Sequence, residues 1–291
     1  MSGKNGTQIE RYKNLLSFLD EHFKEDINIK IIEEVSNYSY RNINRIFEAI
    51  HQETIGKYVK RLRLEKAAQY LKYSSGSVSD IAYEVGFEER AAFSKAFKKR
   101  YNCSPSAFRE STQTQLENYH QSEFSIGDNE RMRLEFEIEF LPDFQFVFQE
   151  YRGDYYNVSA IEIAWNQFFE FSEKMDLIRE DSIFMAEVMD DNEISDDINL
   201  RYNLALILTR PVHFKPEGLT RIKTHKKQKY AKFIHKGSHL SCIDFYQKIY
   251  AFWIEDVGLE LADLPTLEFY PNHDKQTPEE NLITEIMIPV M

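Results

Sequence analysis

Arg90, Ser94, Lys95 and Lys98 recur at a spacing that lines them along one side of an α-helix, while Phe93, Ala96 and Phe97 fall on the other. The outer side carries hydrogen-bond donors and no acid. Its chemistry is recognition of a DNA major groove, where Arg or Lys donates to guanine O6 and N7 and flanking cations hold phosphates. Arg90, Ser94 and Lys95 are expected on base edges, Lys98 and Lys99 on phosphates, and small Ala91 and Ala92 permit close approach. About fifty residues earlier the pattern returns in weaker form: Arg45-Ile46-Phe47 matches Lys95-Ala96-Phe97, and Tyr38-Ser39 opens a helix that exposes Tyr40, Arg41 and Asn44. Arg41 and Asn44 are expected on base edges, with Tyr40 beside them and Arg45 on a phosphate.

Positioning these side chains takes two helix pairs. Val78, Ile81 and Val85 repeat at helical spacing, Ser77 with Asp80 forms a capping box, and Gly86 stands where a helix ends in the left-handed region. The second helix begins after Phe87. Asn102 suits a positive φ at its end, and Ser104-Pro105 supplies an N-cap and a Pro at the first position of another helix. Between the two copies, apolar residues from Ile55 to Leu71 predict one long helix over about Thr54–Tyr73. A rigid joiner fixes a spacing, and at about 34 Å, one turn of DNA, a single chain can read two successive major-groove segments.

The runs RLRLEKAAQYL, IAYEVGF and FSKAFKKRY-CSP-AFR resemble the DNA-binding domain of the AraC family of transcription regulators along residues 9–110. The resemblance implies an all-α double helix-turn-helix domain over 1–110 that binds double-stranded promoter DNA. Departures lie in the first half, with Glu33 at a usual packing Ala, Asn37 at a usual turn Gly and Gln52 at another common Gly. The competing interpretation is a helical bundle whose cations are merely solvated.

A net charge of −12 over 291 residues is unusual for a DNA binder until it is divided. Residues 1–115 hold 19 Lys plus Arg against 15 Asp plus Glu, and the remainder 17 against 33. DNA therefore meets a mildly basic part, and the acidic part repels phosphate. Cys103 and Cys242 fall in different domains and offer no disulfide framework or Cys-based zinc site. With a polar start and no long apolar stretch, a cytoplasmic protein without membrane contact is expected.

Residues 111–130 are polar and lack sustained periodicity, as in a linker or a fraying helix end. Over 131–291 the pattern is α+β. Met132–Phe140 and Phe144–Tyr151 read as paired strands; a helix follows Gly153; strands are expected at Ile183–Val188 and Arg201–Leu208. The plan repeats as Tyr230–Ile234, a helix around Ser241–Val257, then Thr266–Tyr270 and Ile283–Pro289. Two β-α-β-β units imply an antiparallel sheet with two helices on one face and a groove along a pseudo-two-fold.

That layout, with YRGDYYNV, YAKFIHKG, TLEFYPN and ITEIMIPV, resembles the GyrI-like effector-binding domain over 131–291. The resemblance implies a small-molecule effector held in the groove through an acidic residue on the strand Leu267-Glu268-Phe269-Tyr270. Alternation puts Glu268 and Tyr270 on one side of it and Leu267 and Phe269 on the other. Glu268 is the site candidate, an organic cation finding there a countercharge and aromatic faces, and Glu285 is a weaker second carboxylate. Trp165, Trp253, Phe168 and Tyr151 are wall candidates, although aromatics at helical spacing commonly form core.

His213, His225, His235, His239 and His273 show no metal-ligand spacing, and no cofactor or nucleophile motif is present. The basic run Arg221–Lys229 reads as a solvated hairpin or as a surface for DNA or RNA polymerase. The expected function is a non-enzymatic, sequence-specific transcription regulator that senses a small hydrophobic or cationic molecule. The rival roles for the second domain are hydrolysis of reactive small molecules and binding of gyrase.

Overall fold

The computed structural model describes residues 7–124, 134–210, 220–253, 258–272 and 277–291. The chain divides into two compact units, Met1–Gln115 and Leu116–Met291. The first is helical: α1 (Gln8–His22), α2 (Ile29–Ser36), α3 (Tyr40–His51), α4 (Ile55–Tyr73), α5 (Val78–Glu84) and α6 (Arg90–Tyr101), followed by α7 (Pro105–Phe124). Tyr12, Leu15 and Leu19 of α1, Ile32 of α2, and Ile43 and Phe47 of α3 close over Ile55, Tyr58 and Leu62 of α4. Further along α4, Leu64, Ala67, Ala68 and Leu71 are buried in turn, so one helix supplies core to both pairs. Local chemistry sets its start, where the Thr54 hydroxyl accepts from the Lys57 N–H at 3.3 Å.

Helix α7 starts where Ser104 caps the Ala107 N–H at 3.2 Å, and it continues to Phe124. Residues 111–124, expected as linker or fraying end, are therefore helical; the rest of that stretch lies outside the described residues. Its hydroxyls find partners on the helix itself, Thr112 donating to the Phe108 carbonyl at 3.0 Å and Thr114 to that of Glu110 at 2.8 Å.

The second unit is one antiparallel sheet with strands β1 (Glu137–Leu141), β2 (Phe144–Arg152), β3 (Phe184–Val188), β4 (Arg201–Leu208), β5 (Arg221–His225), β6 (Gln228–Lys236), β7 (Thr266–Phe269) and β8 (Ile283–Val290). Helix α8 (Val158–Lys174) follows β2, and α9 (His239–Phe252) follows β6. The spatial order β1-β6-β8-β7-β3-β4-β2-β5 reads the same from either end once the halves are exchanged. Backbone details repeat too: the Gly153 N–H donates to the Leu200 carbonyl and the Gly237 N–H to the Leu282 carbonyl, both at 2.9 Å.

One expectation is corrected. The first two strands do not pair with each other; β1 lies beside β6, and β2 beside β4 and β5. The repeat is thus β-β-α-β-β, with each first strand lent to the other half. The sheet curls so that the two short connections meet, Asp143 accepting from the Lys227 N–H at 2.6 Å and the Lys226 ammonium at 3.2 Å.

Both helices pack on one face, α8 over Val147, Ala186, Leu204 and Leu206, and α9 over Ala231, Phe233, Ile286 and Ile288. On the opposite face Phe146, Met185, Ala205, Tyr230, Leu267 and Met287 are buried by the curl itself. Among the described residues no helix is long and apolar enough to cross a membrane.

Candidate functional site

On α6, Arg90, Lys95, Lys98 and Lys99 are exposed with Ala91 and Ala92, and Ser94 is half-buried. Phe93, Ala96 and Phe97 face the core. None of those four cations has an ion-pair partner among the described residues. A free cationic face is solvated in isolation and gains most by meeting a polyanion. On α3, Arg41 and Arg45 are likewise exposed and Tyr40 is half-buried. Asn44 differs, because its Oδ1 accepts the Ile55 N–H at 3.0 Å and so holds the start of α4.

The turns that aim these helices are held differently. Gly86 has φ 89°, and a Cβ there would lie 2.3 Å from the Lys24 carbonyl oxygen, so only glycine fits. Arg63 spans the same junction, donating to the carbonyls of Phe23 at 2.6 Å, Gly86 at 2.6 Å and Glu25 at 2.7 Å. Sequence reasoning contained Arg63 in a motif but assigned it no task. In the first pair Asn37 and Gln52 take positive φ, 51° and 58°, and Glu33 reaches forward to accept the Tyr40 N–H at 2.7 Å. The residues that depart from the family pattern therefore serve as helix ends and a cap.

The second candidate site is a carboxylate on the helix-covered face of the sheet. Glu268, 2% exposed, stands on β7 opposite Ala186 of β3. Tyr246 of α9 donates to its Oε1 at 2.7 Å, and Tyr202 of β4 and Tyr270 donate to its Oε2 at 3.2 Å and 2.5 Å. The Tyr202 and Tyr270 hydroxyls also meet each other. Burial first, and the Glu268 charge second, push all three phenols well above their usual range, so they remain protonated donors. No Lys, Arg or His among the described residues pairs with Glu268.

The alternation that set Glu268 and Tyr270 on one side holds, and Trp165 of α8 joins them with its ring perpendicular to that of Tyr270, centroids 5.7 Å apart. Phe168 is fully buried behind Trp165, in the core under α8. Tyr151 turns its hydroxyl to the Asp154 carbonyl at 3.3 Å, at the start of α8. Glu285 is corrected: it pairs with Lys232 at 3.1 Å, while its neighbours Thr284 and Ile286 are buried, so it faces away from Glu268. Sequence reasoning missed Tyr202 and Tyr246. The signal for Tyr246 was its place on the second helix matching Trp165 on the first.

The basic run 221–229 forms β5 and the start of β6, with three of its five cations paired to carboxylates: Arg221 to Glu150 at 3.3 Å, Lys223 to Glu187 at 2.8 Å and Lys226 to Asp143 at 3.2 Å. His225 bonds Tyr230 and His235 bonds Ser241; His213 and His273 lie outside the described residues. Among the described residues no three His, Cys, Asp or Glu side chains gather as metal ligands.

Residues 33–111 match a helix-turn-helix domain family, and residues 134–291 match the GyrI-like small molecule binding domain. Regulatory protein SoxS of Escherichia coli K12 is 30% identical over 97 residues, covering 33% of this chain and 91% of SoxS. The HTH-type transcriptional activator RhaS of Escherichia coli O139:H28 is 36% identical over 100 residues, 34% of this chain and 36% of RhaS. The DNA-bound structure of EcmrR has 17% sequence identity and a TM-score of 0.47, covering 84% of this chain and 98% of that one. Carrying one domain that spans SoxS nearly end to end and another that fits the GyrI-like family throughout, the chain belongs to the AraC-type DNA-binding transcription regulators with a GyrI-like effector-binding domain.

Proposed function

We propose that the protein reads two successive major-groove segments of promoter DNA with α3 and α6 and adjusts transcription when a small lipophilic cation settles against Glu268. The DNA-binding domain is assigned to residues 1–110 and the sensor to 131–291. Arg90, Ser94, Lys95 and Arg41 approach base edges; Lys98, Lys99 and Arg45 hold phosphates, with Tyr40 beside them. Asn44 acts as a support for α4, not as a reader, since its oxygen is engaged within the fold. The protein works in the cytoplasm, where promoter and RNA polymerase are found.

The observation that carries the ligand class is the buried Glu268 carboxylate with three phenol donors and, among the described residues, no cation beside it. Neutral donors orient the oxygens, but a countercharge would relieve more of the desolvation cost. Trp165 and Tyr270 offer the π faces that hold an organic cation, with Tyr151 and Phe168 backing them. We read the domain as a sensor, and the acid as a binding group with no part in turnover. Thermal unfolding of the full chain with tetraphenylphosphonium tests this. At a hundred times its dissociation constant the cation should add about 2.7 kcal/mol, and Glu268→Gln should abolish the gain. Equal stabilisation of both proteins would refute the cation site.

A further inference from the structure

A second polar atom beside the tyrosine cluster is closed to solvent and unmet. His239 is the first residue of α9, and its ring stands nearly perpendicular to that of Tyr202, centroids 6.4 Å apart. Tyr202 is one of the phenols on Glu268. The Nε2 of His239 is buried and has no hydrogen-bond partner among the described residues. Folded proteins pair nearly all such atoms, because an unmet buried polar group is destabilising. The internal repeat shows that the fold does not require one here. At the matching place, the first residue of α8, stands Val158, which is apolar. A histidine where the repeat accepts valine, with its nitrogen unmet next to a Glu268 ligand, has the character of a recognition group.

We propose that His239 Nε2 is a second polar anchor of the effector groove, bonding to an amine, amide or hydroxyl that the ligand carries apart from its cationic centre. The inference rests on the Glu268 reading and narrows it to lipophilic cations with a separate hydrogen-bonding group. Imidazole donates or accepts according to tautomer, so either polarity of group can be met. At the matching place of the repeat, Val158 offers no such atom.

Two cations separate the possibilities when titrated into the full chain without DNA. Tetraphenylphosphonium has charge and rings but no hydrogen-bonding group, whereas ethidium adds two aromatic amines. His239→Phe should weaken ethidium about tenfold, the loss of one net hydrogen bond, and leave tetraphenylphosphonium within about twofold. His239→Gln, which keeps a polar end, should recover part of the ethidium affinity. Should the Phe variant fail to fold, His239→Val, which copies the residue at position 158 of the repeat, serves in its place. Equal weakening of both cations, or no change for either while Glu268→Gln weakens both, overturns the anchor alone. If Glu268→Gln alters neither, or if neither cation binds the unaltered chain, the cation reading falls and the anchor with it.

Discussion

The helix pairs α2–α3 and α5–α6 share a plan but differ in what holds their turns. In the second pair a close backbone approach is joined by a side-chain clamp: Gly86 lies against the Lys24 carbonyl at a distance no side chain could share, and the Arg63 guanidinium fastens three carbonyls across the junction. The first pair uses side chains. Arg11 reaches the Asn37 carbonyl at 3.5 Å and lies over the Tyr38 ring, and Glu33 caps α3. Residues between the helices also differ, from Asn37 to Ser39 in one and from Val85 to Glu89 in the other. A turn fixed by close backbone approach tolerates few substitutions, whereas one fixed by side-chain bonds can exchange them singly. The difference explains how the first pair departs from its family at Glu33, Asn37 and Gln52 and keeps its fold.

The sharpest way to break this comparison is at the paired turn positions. Gly86→Ala must accommodate both a positive φ and a collision with backbone, and should cost about 2–5 kcal/mol in denaturant unfolding, while Asn37→Gly should change stability by less than about 1 kcal/mol. Similar losses at both would show the turns to be equivalent. The arginines come next. Arg63→Ala, leaving three carbonyls unmet, should destabilise by about 2–3 kcal/mol and Arg11→Ala by under about 1 kcal/mol, measured in the same assay. The remaining effects are read on DNA. Arg90→Ala should cost about 1–3 kcal/mol at one base position, whereas Lys98→Ala should weaken all sequences alike and lower the salt slope by about one. Uniform loss for Arg90→Ala would remove it from the base-reading set.

How much of this was legible in the sequence depended on the range of the interaction. Local signals carried through: Ser77, Gly86, Asn102 and Ser104 cap or end the helices that their types predicted. Alternation on β7 placed Glu268 and Tyr270 together because a strand's period is local too. Glu285 went astray because it was weighed by residue type, when the β7–β8 register sets Ile286 opposite Glu268 and leaves Glu285 opposite Phe269, on the other face. Pairing of β1 with β6 was out of reach, since adjacency in the chain favours a hairpin and only the closure of the whole sheet reverses it. The phenols on Glu268 come from positions 202, 246 and 270, three elements with no shared periodicity. Asn44 was legible as an exposed helix residue but not as the partner of an amide eleven positions on.

The exchange of first strands between the repeats has a consequence for how the sensor can be cut. Neither half is a module that could be excised: severed between β4 and β5, each piece would keep its own opening strand with no neighbour and lose the one that shields its outermost rung. Across the line where the halves meet, Glu268 faces the small Ala186, so a frame that repeats itself carries its acid on one side only.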